Sequence, residues 1–310
     1  MVTPEEAVQV IHESGGSHAG YRALHAKGSL FRGTFTATAA AKALSRAVHL
    51  DGRTVPALVR FSNGAPEPDK SDNRPMIRGM AVKLSLPDGS TTDISAQTGR
   101  LFISRTPEGF VEFMRASKLG PLAGVKLAKF TAQYPEFLHT LRANAVALKV
   151  PASYATIEWH ALHAFKWIDA DGGSRFVRYH WIPEAGIQHL KLLETRSKSP
   201  DYLTEELTTR LAEVPVRFEL HVQVAGPDDS TVDPSAPWAS DETTAVGTLE
   251  ITGIDTEREH EGDIVVFDPM RVTDGIEASD DPVLHFRSLA YSVSVQERSG
   301  VGRGAEAPPA

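Results

Sequence analysis

Three features of this 310-residue sequence predict an α+β protein built around an antiparallel sheet or barrel. Strand-like runs fall into two groups with a helical stretch between them, and a further helix follows the second group. Strands and helices do not alternate in the way βαβ units require. The composition, 41% apolar and 23% charged, is that of a folded chain with a substantial core.

Each element has a local signal. Thr3-Pro4-Glu5-Glu6 combines an N-cap, a first-turn proline and a capping-box glutamate, and starts a short helix that Gly15-Gly16 stops. Strands are then predicted at 30–36, 54–62, 78–86 and 91–94, with an Ala-rich helix over 39–48 and a Pro87-Asp88-Gly89-Ser90 turn before the fourth. Thr106-Pro107-Glu108 repeats the N-cap, proline and acid order and opens a broken helical stretch reaching about Leu148. The second strand group covers 153–169, 175–182, 216–224, 248–251 and 263–267, with a helix over 202–213. Polar, Pro/Asp/Ser-rich segments at 63–75 and 226–244 read as surface loops within one domain, residues 1–298. Residues 299–310, poor in anything to bury, read as a disordered tail.

Composition excludes several function classes. The net charge is -8, and the 32 Lys and Arg are scattered, so nucleic acid has no electrostatic footprint here. With no cysteine there is no disulfide framework, no Cys-ligated metal and no thiolate nucleophile, so any redox chemistry must come from a bound cofactor. No run of about 18 apolar residues and no basic leader occur, so no membrane association is expected and the cytoplasm is the expected location.

The last helix, beginning near Asp280-Asp281-Pro282, carries the most telling pattern. At 3.6 residues per turn, Arg287, Tyr291 and Arg298 share one stripe. A guanidinium beside a phenol favours the phenolate, an oxygen ligand for ferric iron, and Arg298 could then meet a carboxylate. Spacing alone also fits a packed aromatic between two snorkelling arginines. His25, three residues after Arg22, precedes a strand, and Arg60 and Ser62 share one strand face. His160 and His163 are expected on opposite faces of their strand, an arrangement that does not favour a joint metal site.

These residues resemble the haem catalases, particularly the short catalase-related peroxidases. The matching blocks run in family order: RALHAKG (22–28), VRFSNG (59–64), RGMAVKL (78–84), RTPEGFVEF (105–113), HAFKWIDADG (163–172), RYHWIPEAGIQ (178–188), FDPMRVTDGIEASDDP (267–282) and RSLAY (287–291). The resemblance implies a closed, mainly antiparallel β-barrel with flanking helices and haem b between barrel and C-terminal helix. It makes Tyr291 the haem-iron ligand and Arg287 its activator, supported by His180 and Asp281. It makes His25 the distal catalytic histidine, held by Ser62, with Phe110 packed on the haem and Arg22, Arg60 and Arg298 on its propionates.

One departure bears on activity. Counting back without gaps from Arg105-Thr106-Pro107 puts Gln97 where catalases carry an asparagine that orients the peroxide. The chain also falls short of the N-terminal arm and C-terminal helical portion of full-length catalases. The expected function is therefore a haem peroxidase that reduces organic hydroperoxides or hydrogen peroxide with a small-molecule electron donor, through a ferryl state on tyrosinate-ligated haem. A catalase, a hydroperoxide-rearranging enzyme of the allene-oxide-synthase kind and a non-catalytic haem binder are the alternatives. The resemblance also suggests a homodimer.

Overall fold

The computed structural model describes residues 1–118, 122–256 and 264–304. Helix α1 (Pro4–Gly15) starts where the sequence signals place it: the Thr3 hydroxyl accepts a hydrogen bond from the Glu6 N–H at 3.1 Å, and Gly16 ends the helix at φ +91°. Eight strands then close a barrel: β1 (Gly28–Ala37), β2 (Thr54–Asn63), β3 (Arg78–Ser85), β4 (Thr91–Gln97), β5 (Trp159–Ile168), β6 (Ser174–Pro183), β7 (Val216–Val224) and β8 (Thr243–Asp255). Their spatial order is β4-β3-β2-β1-β8-β7-β6-β5, every pairing is antiparallel, and a β4–β5 bridge at Gln97 and His160 completes the circle. Register shifts at Arg32/Gly33 and Leu220/His221 are the kind of bulge that lets a sheet curl closed. A short ninth strand, β9 (Ile276–Ala278), adds to β5.

Alternation along the strands sorts two faces. Val55, Val59 and Phe61 of β2 point into the barrel and join Phe31, Phe35, Trp159, Trp181 and Phe218 in the main core. Phe61 lies 5.3 Å from Trp159 and Phe35 lies 6.1 Å from Trp181, ring centre to ring centre. Leu58, Arg60 and Ser62 therefore face outward, yet they too are buried. Part of their cover is the irregular segment containing Val265 and Phe267, which packs on Leu30 and Leu58. The strand expected at 263–267 is thus an irregular cover from 264 onward, and residue 263 lies outside the described residues.

The helices sit outside the barrel. They are α2 (Ala39–Leu44), α3 (Pro107–Ser117), α4 (Ala123–Gln133), α5 (Glu136–Ala143), α6 (Leu192–Arg196), α7 (Tyr202–Leu211) and α8 (Pro282–Gly304). Thr106 caps α3 by accepting the Gly109 N–H at 3.2 Å, as its sequence signal indicates. The helix expected over 39–48 stops at Leu44, because Ser45 redirects the chain by donating to the Gly275 carbonyl while accepting from the Ala47 N–H. The strand expected from Ser153 begins only at Trp159, because Ser153 and Thr156 cap a single 3-10 turn. Helix α8 continues to Gly304, past the Ser299 at which a disordered tail was expected; residues 305–310 lie outside the described residues. Among the described residues no helix is long and apolar enough to cross a membrane.

His49 is buried against Phe35 with its Nδ1 unpartnered, and burial pushes its pKa down to about 4. Above pH 6.5 the imidazole is neutral folded or unfolded. Below pH 6.5 the unfolded chain takes a proton that the folded chain takes only near pH 4, so stability is lost as the pH falls through that window. Replacing His49 with Leu should remove on the order of 2–3 kcal/mol from the loss between pH 6.5 and 4. Denaturant titrations of both proteins at the two pH values check this; equal losses in both would contradict it.

Candidate active site

The outward faces of β1 to β5 form a row. Gly28, Ser62, Gly79, Gln97 and His160 are cross-strand neighbours in that order. Leu30, Arg60, Ala81 and Ser95 form a parallel row across the first four strands. His25 leans on this surface, its Nδ1 3.0 Å from the Ser62 hydroxyl. Only a glycine at 79 leaves room for it: a Cβ there would lie 2.9 Å from His25 Nδ1 and 2.8 Å from Ser62 Oγ.

His25 is held under strain. Its φ of +57° is left-handed, which costs a non-glycine residue roughly 1 kcal/mol or more. Arg60 holds the turn in place, its Nη2 donating to the carbonyls of His25 at 3.1 Å and Ala26 at 3.2 Å. Burial, then the positive charges of Arg60, Arg287 and Arg22, push the His25 pKa down to about 3. The imidazole is therefore neutral at physiological pH, the form a general base requires.

The facing wall is α8. Asp281 caps it, one carboxylate oxygen accepting the N–H groups of Val283 at 2.8 Å and Leu284 at 3.2 Å. The other oxygen lies 2.6 Å from His163 Nδ1, and His163 Nε2 lies 2.8 Å from Arg287 Nη1. A guanidinium only donates, so His163 Nε2 accepts and the ring carries its proton on Nδ1, toward Asp281. Complete burial disfavours the charged ring more than Asp281 favours it, and the His163 pKa is lowered. Arg287 then donates through Nη2 at 2.7 Å and Nε at 3.1 Å to the Tyr291 oxygen.

Between the walls lies a cavity of about 410 Å³, a volume in the usual range for a cofactor site. His25, Ser62 and Gln97 line one side and Arg287 and Tyr291 the other. Phe110 lines it too, with Phe102 stacked on it at 5.7 Å. Arg22, Arg60 and Arg298 also line it; Arg22 donates to the Val265 carbonyl at 2.8 Å, and Arg298 reaches back to the Ser294 carbonyl at 3.4 Å. Ala7, Val8 and Ile11 of α1 pack with Phe110, Met114 and Phe286 to complete an apolar surround.

A phenol oxygen held by two guanidinium N–H groups, an apolar interior and arginines along the lining are donors and walls suited to an iron porphyrin carrying carboxylates. The Catalase family model matches residues 14–304. The chain belongs to the catalase family. It is 59% identical over 308 residues to the catalase-related peroxidase of Mycolicibacterium paratuberculosis, covering 99% of this chain and 98% of that protein. The catalase-related peroxidase of Synechococcus elongatus is 31% identical, with 96% of this chain and 89% of that one covered. The crystal structure of a fungal catalase superposes with a TM-score of 0.79 at 23% identity, covering 92% of this chain and 60% of that one. Catalase A from Saccharomyces cerevisiae superposes with 0.78 at 21% identity, covering 91% and 62%. The likeness to these two longer catalases is one of fold.

Within this catalase fold, one expected position needs correction. His180 does not support Arg287: it sits directly opposite His160 in the β5–β6 register, with 2.9 Å between their Nδ1 atoms. His163 occupies the place between Asp281 and Arg287, because the β5 pairing shifts between Ala161 and Phe165 and breaks the simple alternation on which strand faces are counted. The other expected residues, His25, Ser62, Gln97, Arg22, Arg60, Phe110, Arg287, Tyr291 and Arg298, all line the cavity, and Asp281 stands behind Arg287 through His163. Asn144 also lines it, but its amide is engaged by the backbone of Arg100 and Leu101. Gln97 is thus the lining amide that neighbours Gly79 in the strand row, the glycine against which His25 and Ser62 meet.

Replacing His163 with Gln should leave the fold intact and weaken haem binding by on the order of 10-fold, since it loosens the partner that orients Arg287. Haem titration followed by visible absorption checks this. Wild-type affinity would show that His163 does not position Arg287.

Proposed function

We propose that this protein is a haem-dependent peroxidase that reduces organic hydroperoxides, and hydrogen peroxide, with an external small-molecule electron donor. The observation that carries the reading is the single cavity with the His25–Ser62 pair on one wall and the Arg287–Tyr291 pair on the other. The names of the two relatives matched over most of their length support it. The form that fits is haem b, because a chain without cysteine has no thiols for covalent attachment.

In this reading Tyr291 is the iron ligand, and the two hydrogen bonds from Arg287 favour its phenolate. Arg22, Arg60 and Arg298 meet the propionates, and Phe110 packs on the face turned to His25. Haem bound there would supply a redox-active iron able to hold the oxidising equivalents of a cleaved peroxide.

The remaining steps belong to the chain. Ser62 accepts the Nδ1 proton of His25, which leaves the Nε2 lone pair as the base. Nε2 takes the proton from the peroxide and returns it to the departing oxygen, so that an alcohol or water leaves. The Gln97 amide offers the donor that orients the peroxide. Compared with asparagine it adds a methylene and a rotor, and misplacement by about 1 Å costs on the order of 100-fold in rate. Dismutation of hydrogen peroxide, which needs a second peroxide placed as well as the first, is the reaction this weakens most. The apolar walls, with Ile77, Ile103, Phe113 and Met114, suit the organic part of a hydroperoxide.

His25→Ala should slow peroxide cleavage by at least about 100-fold in single-turnover kinetics with cumene hydroperoxide, while haem stays bound. Tyr291→Phe should abolish the wild-type haem spectrum. Wild-type kinetics in the first, or an unchanged spectrum in the second, would refute the assigned roles. Sustained oxygen release from hydrogen peroxide without a donor would favour catalase over peroxidase.

A further inference from the structure

His180, displaced from the haem cavity, belongs to a second cluster of ligating groups. His160 on β5 and His180 on β6 are directly opposed, with ring centres 5.0 Å apart and planes at 87°. Glu158 lies just before β5, its Oε2 3.6 Å from His160 Nε2. One ligand atom from each of the three side chains lies within 4.8 Å of the other two. A small cavity of about 60 Å³ opens beside them, lined by Glu158, His160, Arg100 and His189 among others.

We infer that Glu158, His160 and His180 form a binding site for a borderline divalent metal ion, zinc foremost, distinct from the haem iron. The donor set is two imidazole nitrogens and a carboxylate oxygen, the set that leaves a fourth tetrahedral position open. The adjoining cavity provides space for a water there. The two Nδ1 atoms stand 2.9 Å apart, and nitrogens sharing a tetrahedral zinc stand about 3.4 Å apart. The rings therefore need to part by only about 0.5 Å to admit the ion between them.

The two imidazoles already hold each other across the β5–β6 pairing, and Gln223 stands within hydrogen-bonding reach of His180, so the rings are positioned before an ion arrives. The competing group is Arg100, whose Nη2 lies 3.1 Å from Glu158 Oε2. Its side chain is 59% exposed and swings into solvent at little cost, which frees the carboxylate for the ion.

The inference is independent of the peroxidase reading, and its test reads metal binding directly. Zinc chloride titrated calorimetrically into the protein as purified should saturate one site per chain with a Kd of about 10 µM or tighter. His180→Gln and Glu158→Gln should each weaken that binding by at least about 10-fold, and magnesium, which demands oxygen ligands, should not bind. Neither residue lines the haem cavity, so both variants should keep the wild-type haem spectrum, which reports that they are folded. Glu158 is partly exposed at the barrel edge, so its variant decides the matter if the His180 variant does not fold. No saturable zinc binding, or wild-type affinity in the folded variants, would overturn the inference.

Discussion

The carboxylate of Asp281 is the constraint on which the site depends. One oxygen terminates α8 and the other fixes His163, so the helix that carries Tyr291 and the strand that carries His163 are tied at one buried group. Capping of this kind is worth about 1 kcal/mol, and the charge-assisted bond to a buried imidazole is worth about as much again or more. The larger effect is geometric. His163 can accept from Arg287 only while Asp281 holds the proton on its other nitrogen, and Arg287 can aim two N–H groups at Tyr291 only while its third contact is anchored. The donors thus diverge from Arg287: one N–H points to His163, whose own N–H points to Asp281, and two point to the phenol oxygen in the cavity.

The barrel contributes the opposite requirement, a close surface with few side chains. Gly79 sits where His25 and Ser62 meet, and the left-handed backbone at His25 is held by Arg60, a residue that also lines the cavity. The His25 imidazole is therefore placed by a glycine that is small enough and an arginine that is long enough. Burial, with the charges of Arg60, Arg287 and Arg22, keeps His25 unprotonated, and two of these, Arg22 and Arg60, are among the three arginines proposed to meet the propionates.

Much of this was legible in the sequence. Threonine caps, proline-led helices and alternating strands gave the elements, and the four-residue spacing of Arg287 and Tyr291 put both on one stripe before any contact was known. Resemblance to the catalases supplied the pairing of His25 with Ser62 across 37 positions, which no local pattern contains. The place of His180 behind Arg287 rests on the resemblance alone; the structure gives that place to His163, which meets Asp281 from a stretch of β5 whose pairing slips register, a feature that period-two counting does not show. The strained turn at His25, the three-residue β9 and the Ser45 contact that cuts α2 short were equally hidden, since each is imposed by a partner distant in the chain.

The central claim is that Tyr291, held by Arg287, presents an oxygen ligand to the haem iron. Resonance Raman spectroscopy of the haem-loaded protein, with and without isotope-labelled tyrosine, tests it most directly. Iron-phenolate vibrations that shift with the label are the expected result. A spectrum of histidine-ligated or water-ligated haem, indifferent to the tyrosine label, would contradict it.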